Sequence, residues 1–190
     1  MAAAKARMAL TSTLYDLDVE LSHVDRKLQL RMQVRTARHP SETLDRVWLR
    51  VLGYCWLYEE RLAFGPGLSD PDPPDLRADD LTGQTTLWVR VGRPDPAKLQ
   101  READRAGRAR VVALFDSPQR LDAFVEAARQ AGLSRLAKVE LAAFDAGLLA
   151  GLSAKDERRV RLGVTIVGDH LYVDRAGESL DGPITRRRMG

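Results

Sequence analysis

One cysteine, Cys55, is all that a chain of 190 residues contains. No intrachain disulfide can form, and neither a cysteine-built zinc cluster nor a CxxC redox pair is available. A reducing, cytoplasmic setting is expected. Long apolar runs are missing as well: none approaches the ~18 residues of a membrane span, so no membrane partner is expected. The opening MAAAKARMAL lacks the apolar core of ~7 residues that a secretory signal carries before its cleavage site. Nor does either charge dominate. Basic residues number 30 against 27 acidic ones, for a net charge of +3. The pI near 9.2 permits nucleic acid as a partner without demanding it. No recognition helix or stacked-aromatic RNA motif stands out for reading bases.

What is present fits one compact domain with a full core, expected over residues 8–178, with flexible tails at 1–7 and 179–190. From Leu10 the pattern LTSTLYDLDVE alternates, with Leu14 or Tyr15 followed by Leu17, Val19 and Leu21. After SHVD the run KLQLRMQVRTA repeats it, with Leu28, Leu30, Met32 and Val34 at strict period two. This is an antiparallel hairpin with one apolar face, and Arg31 and Arg35 on the other. Further on, β and α patterns alternate. A helix opens at Asp95-Pro96 and stops at Gly107, ARVVALF is a buried strand, and a second capped helix ends at Gly132. KVELAAF is another strand, DAGLLAGLS one or two helical turns, and Gly168-Asp169 the turn of a last hairpin. The fold class is α/β, a mixed sheet with flanking helices and β-hairpins.

Between these halves lies the most unusual stretch, His39 to Pro94. Leu44, Val47, Trp48, Val51, Leu52, Cys55 and Trp56 recur at spacings of three and four, which predicts an amphipathic helix opening on Pro40. Glu42 then falls in the first turn, and placement at ~100° per residue puts Glu42, Arg46 and Arg50 away from the apolar stripe. A surface ion pair between Glu42 and Arg46 accounts for that carboxylate as well as a metal-ligand role does. Cys55 lies on the stripe as a core residue. Pro66, Pro71, Pro73 and Pro74 make the next segment a stiff loop, crowded by Asp70, Asp72, Asp75, Asp79 and Asp80. Such crowding needs a counter-ion, either arginines or a hard cation such as Mg²⁺. The strand TTLWVRV follows, with Leu87, Val89 and Val91 on one face and Thr86, Trp88 and Arg90 on the other.

With HPSET, RLAFGPGLSDPDPPDL, DLTGQTTLWVRVGRP and the RARVV that follows, the sequence resembles the YaeQ family over nearly its whole length. That resemblance implies a variation of the PD-(D/E)XK nuclease core. Such nucleases carry an acid on the first core helix, an Asp on the next strand and an acid-x-Lys pair on the strand after it. Mapped onto this chain, the helix acid is Glu42 and the Pro-Asp pair is Pro74-Asp75. The third element falls on Trp88 and Arg90 and departs from the pattern, since an indole cannot ligate a metal and a guanidinium cannot act as a base. Lys98, on the following helix, is the candidate to replace the missing lysine. The resemblance thus implies a Mg²⁺-dependent phosphodiesterase acting on nucleic acid. Glu42 and Asp75 would hold the metal, with Lys98 as the third catalytic residue and Arg46, Arg90 and His39 on phosphate. A solvated lysine and a capping histidine explain Lys98 and His39 equally. The alternative is a non-catalytic nucleic-acid- or protein-binding module on the same scaffold.

Overall fold

The computed structural model describes residues 11–70 and 72–189. The two alternating runs form β1 (Thr13–His23) and β2 (Leu28–Arg38), paired antiparallel from Thr13↔Arg38 to His23↔Leu28. Tyr15, Leu17, Val19 and Leu21 point into the core, while Leu14 is exposed. Arg31 and Arg35 pair with Glu20 and Asp16 across the solvated face.

The central helix α1 (Leu44–Trp56) begins later than its Pro40 suggested. Thr43 is the N-cap and its side chain accepts from the Arg46 N–H. A β-branched hydroxyl in extended conformation satisfies an orphan N–H, which a proline at the first helical position cannot do. Glu42 therefore precedes the helix. It is buried, and so is Arg50, so the expected solvent-facing acid and arginines are instead folded inward.

The remaining elements are β3 (Ala63–Phe64), β4 (Leu76–Asp79), β5 (Thr85–Val91), α2 (Pro96–Arg105), β6 (Arg110–Phe115), α3 (Pro118–Gln130), β7 (Glu140–Phe144), α4 (Ala146–Ser153), β8 (Arg159–Val167), β9 (His170–Arg175) and β10 (Glu178–Arg187). Asp95 and Ser117 cap α2 and α3, each followed by proline, as their sequences predict. One mixed sheet of ten strands results, in the order β2-β1-β8-β9-β10-β7-β6-β5-β4-β3. β5, β6 and β7 run parallel, and β1 runs parallel to β8.

The expected flexible tail at 179–190 is overturned over its described residues, 179–189. β10 pairs antiparallel with both β9 and β7, and so joins the two halves of the sheet. Gly182 lies against Asp145 and Leu148, where an added Cβ would come within 2.5 Å of the Asp145 Cβ. Ile184 and Met189 are buried. Residues 1–7 lie outside the described residues.

Alternation along β6 and β7 sorts side chains into two cores. Val112, Leu114, Ala142 and Phe144 face α1 and α4, together with the inward side of β1, β8 and β9. Val111, Ala113, Leu141 and Ala143 face the other way, against Leu99 of α2 and Leu121, Phe124 and Val125 of α3. Cys55 is fully enclosed in the first core, and burial pushes its thiol up to about 12, which leaves it an unreactive apolar filler. No described helix is long and apolar enough to cross a membrane.

Candidate functional site

Where β2 runs into α1, and β4 meets the end of β5, four charged side chains interlock. Glu42 accepts from Arg46 Nη1 at 2.6 Å and from Arg50 Nε and Nη2, both at 2.9 Å. Arg46 Nη2 donates to Asp75 Oδ1. Arg50 completes its donors on Thr36 Oγ1 at 3.0 Å and the Ala37 carbonyl at 2.8 Å. The His39 N–H also donates to Glu42 Oε2. A group of two carboxylates and two guanidinium ions is charge-balanced, and the interior tolerates it because each oxygen is matched by a donor.

Asp75 is fixed from three directions. Its N–H donates to Val89 O, its carbonyl accepts from Gly65 N, and its Oδ2 accepts from Val91 N at 2.8 Å. Gly65 is what allows that approach: a Cβ there would sit 1.9 Å from the Pro74 carbonyl oxygen. The obstacle is backbone and cannot rotate away. Gly65→Ala is expected to destabilise by about 1–3 kcal/mol, as overpacking does, read as a shift of the urea midpoint at constant slope; an unchanged midpoint would show that the 65–75 loop yields freely.

Arg90, expected on phosphate, is fully engaged within the protein. Its Nε and Nη2 grip Glu102 at 2.7 and 2.6 Å, while Nη1 and Nη2 reach the Pro73 and Asp72 carbonyls at 2.5 Å. This fork ties β5 to α2 and to the proline-rich loop. Lys98 Nζ lies 3.5 Å from Asp72 and 4.0 Å from Glu102. His39 is held locally, its Nδ1 accepting from Ser41 N–H.

A cleft of about 630 Å³ opens at the carboxyl ends of β5 and β6, lined among others by Arg46, Asp75, Arg90, Arg93, Lys98 and Arg120. Ligands of α/β sheets commonly bind in this position. Of the residues singled out in the sequence, Arg46, Asp75, Arg90 and Lys98 share the cleft, Glu42 lies buried behind Arg46, and His39 is not part of the lining. Arg93 has no ion-pair partner among the described residues, whereas Arg120 pairs with Asp116.

As arranged, the acids do not fit the implied Mg²⁺ site. The Arg46 guanidinium stands between Glu42 and Asp75, in contact with both. A divalent cation ~4 Å from that guanidinium would meet a repulsion of about 8 kcal/mol at an effective dielectric of ~20. Among the described residues no group of three or more His, Cys, Asp and Glu is placed to hold a metal ion.

Sequence reasoning missed Arg50 and Glu102. Arg50 is four residues after Arg46, about one turn further along the same side of α1, and reaches back to Glu42 ahead of the helix. What it lacked was any sign that this side of the helix faces the end of β2. Glu102 is four residues after Lys98, inside the helix predicted between Asp95 and Gly107, and no pattern in that helix marks it out.

Comparison with known proteins follows the fold closely. A family model described as "YaeQ protein" matches residues 8–182. The chain is 33% identical over 180 residues to a Salmonella typhi protein described as uncharacterized protein YaeQ, covering 94% of this chain and 97% of that one. It is 31% identical to the Escherichia coli (strain K12) protein of the same description, with the same coverage. Among solved structures, YaeQ from Xanthomonas axonopodis pv. citri superposes with a TM-score of 0.84 at 26% identity, covering 95% of this chain and all of that one. YaeQ from Pseudomonas syringae gives 0.82 at 28% identity, covering 94% and 97%.

Proposed function

We propose, from the premise that this chain belongs to the YaeQ family, that it is a non-catalytic module binding the phosphates of nucleic acid on a nuclease-like scaffold. The observation that carries this reading is Arg46 between Glu42 and Asp75, where a nuclease of the resembled type would keep a cation. The substitution keeps one positive charge at that place and removes the Lewis acid that would activate water. Arg93 and Lys98, in the same cleft, supply charge for an entering phosphate. The phosphodiesterase reading, with Mg²⁺ on Glu42 and Asp75 and Lys98 beside them, requires Arg46 to leave both carboxylates.

Fluorescence anisotropy with a labelled single strand separates the two, run with Mg²⁺ and with chelator at matched ionic strength. Binding is expected to weaken steeply with salt, with a log–log slope of about −2 for three phosphate contacts, and to be equal or weaker with Mg²⁺. The strand should stay intact on a denaturing gel. Mg²⁺-dependent cleavage, abolished in Glu42→Gln, would overturn the proposal in favour of the phosphodiesterase. Absence of binding at low salt would leave a protein-interaction role.

A further inference from the structure

Adjoining the cleft, and sharing Lys98 and Glu102 with it, is a second groove of about 650 Å³ between α2 and β5. Its lining holds Lys98, Arg101, Arg105 and Arg108 against two acids, Asp72 and Glu102. Glu102 is already gripped through both oxygens by Arg90, so its charge is cancelled from behind. At 100° per residue Lys98, Arg101 and Arg105 fall within about 60° of one another around the helix, over ~10 Å of its length. Arg108 extends the line beyond Gly107, whose φ of +62° turns the chain at the helix end. Arg101, Arg105 and Arg108 are all exposed and have no ion-pair partner among the described residues. This contrasts with Asp104 on the same helix, which pairs with Arg135 and Lys138. Helix-end stabilisation accounts for Arg105 in the last turn. It does not account for Arg101, or for Arg108 outside the helix. Beside the arginines, the half-buried indole of Trp88 lines the same groove.

We infer that this groove is the seat of a single nucleic-acid strand, with Arg101, Arg105 and Arg108 on successive phosphates and Trp88 against a base. The inference rests on the proposed function and names the surface that performs it. A row of cations beside an aromatic ring is the composition that tracks a single strand without reading its sequence. A duplex presents the same phosphates but keeps its base faces stacked inside, out of reach of an indole. An acidic peptide would satisfy the arginines and make no use of the exposed part of the indole, whose remainder packs on the second core with Arg90 5.9 Å from the ring.

The test uses the full chain and a labelled strand of about 16 nucleotides, enough to fill one such site. R101Q/R105Q/R108Q is expected to lose at least ten-fold in affinity and to flatten the log–log salt slope by about 2. R101K/R105K/R108K should keep most of both. Trp88→Ala should lose about ten-fold with the slope unchanged, since stacking carries no counterion release. Circular dichroism and the thermal midpoint check that each variant is folded, and single Arg101→Gln and Arg105→Gln variants stand in should the triple variant fail. Wild-type binding that survives R101Q/R105Q/R108Q with the same slope would overturn this inference and leave the proposed function standing, with Arg93→Gln then locating the strand in the cleft. Absence of wild-type binding would remove both. Equal competition by polyglutamate at matched charge, or equal affinity for a duplex, would overturn the assignment to a single strand.

Discussion

Glu42→Ala is expected to lower the stability of the native state by about 3–5 kcal/mol, the range for breaking a buried ion pair from one side. The substitution leaves the Arg50 guanidinium enclosed, with its bonds to Thr36 and Ala37 but without the carboxylate that balanced its charge. Arg46 suffers less, because it keeps Asp75 and stands closer to water. Glu42→Gln should cost less than alanine, since the amide oxygen still accepts one bond and the cavity is avoided. Replacing Glu42 and Arg50 together by apolar residues of similar volume should recover much of the loss, as the desolvation of both charges is then avoided. Urea unfolding of the wild type, of each apolar substitution at Glu42 and at Arg50 alone, and of the two combined completes a double-mutant cycle. A loss below about 1 kcal/mol in Glu42→Ala, the range of surface substitutions, would mean that Arg50 finds water or another acid.

Trp48→Ala is the second large effect, also expected at about 3–5 kcal/mol. Trp48 is 1% exposed at the middle of α1 and among the largest fully buried side chains. Its indole N–H has no hydrogen-bond partner, so no polar bond is lost with it and the cost is transfer plus cavity. The Arg175 guanidinium lies 5.3 Å from the ring and would lose that face. Its hydrogen bonds to the Leu152 and Lys155 carbonyls hold it in place, so the void would not be filled from that side. Guanidinium unfolding followed by circular dichroism measures the loss, and a value under about 1 kcal/mol would place the ring on the wrong face of the helix.

Elements with a strong local signature were legible in the sequence: the first hairpin by period two, α2 and α3 by cap and proline, and the last hairpin by Gly168. β10 was not, because LDGPITRR carries Gly and Pro and no clean alternation. It is a strand because β7 and β9 each offer it a free edge, which is a tertiary circumstance. The charge quartet was half legible. Glu42, Asp75 and Arg46 stood out by pattern and resemblance, yet helical geometry alone assigned their side of α1 to solvent. That side is closed by Thr36 and Ala37 of β2, residues that nothing in the helix sequence announces. Arg90 was legible as facing with Trp88. Its engagement with Glu102 depends on how α2 docks, which local periodicity does not encode.

The pairing of β1 with β8 also sets the order in which the chain can fold. The first hairpin is complete at Arg38, but its parallel neighbour begins at Arg159. At ~5–20 residues per second, roughly 6 to 25 s of synthesis separate the two. During that interval Tyr15, Leu17, Val19 and Leu21 present an apolar strip, and β1 offers a row of unsatisfied amides. Closure of so many long-range pairings is slow in any chain. Here it cannot begin before the last strands have left the ribosome. The outer edge of β1 therefore stays without its strand partner for most of the chain's synthesis.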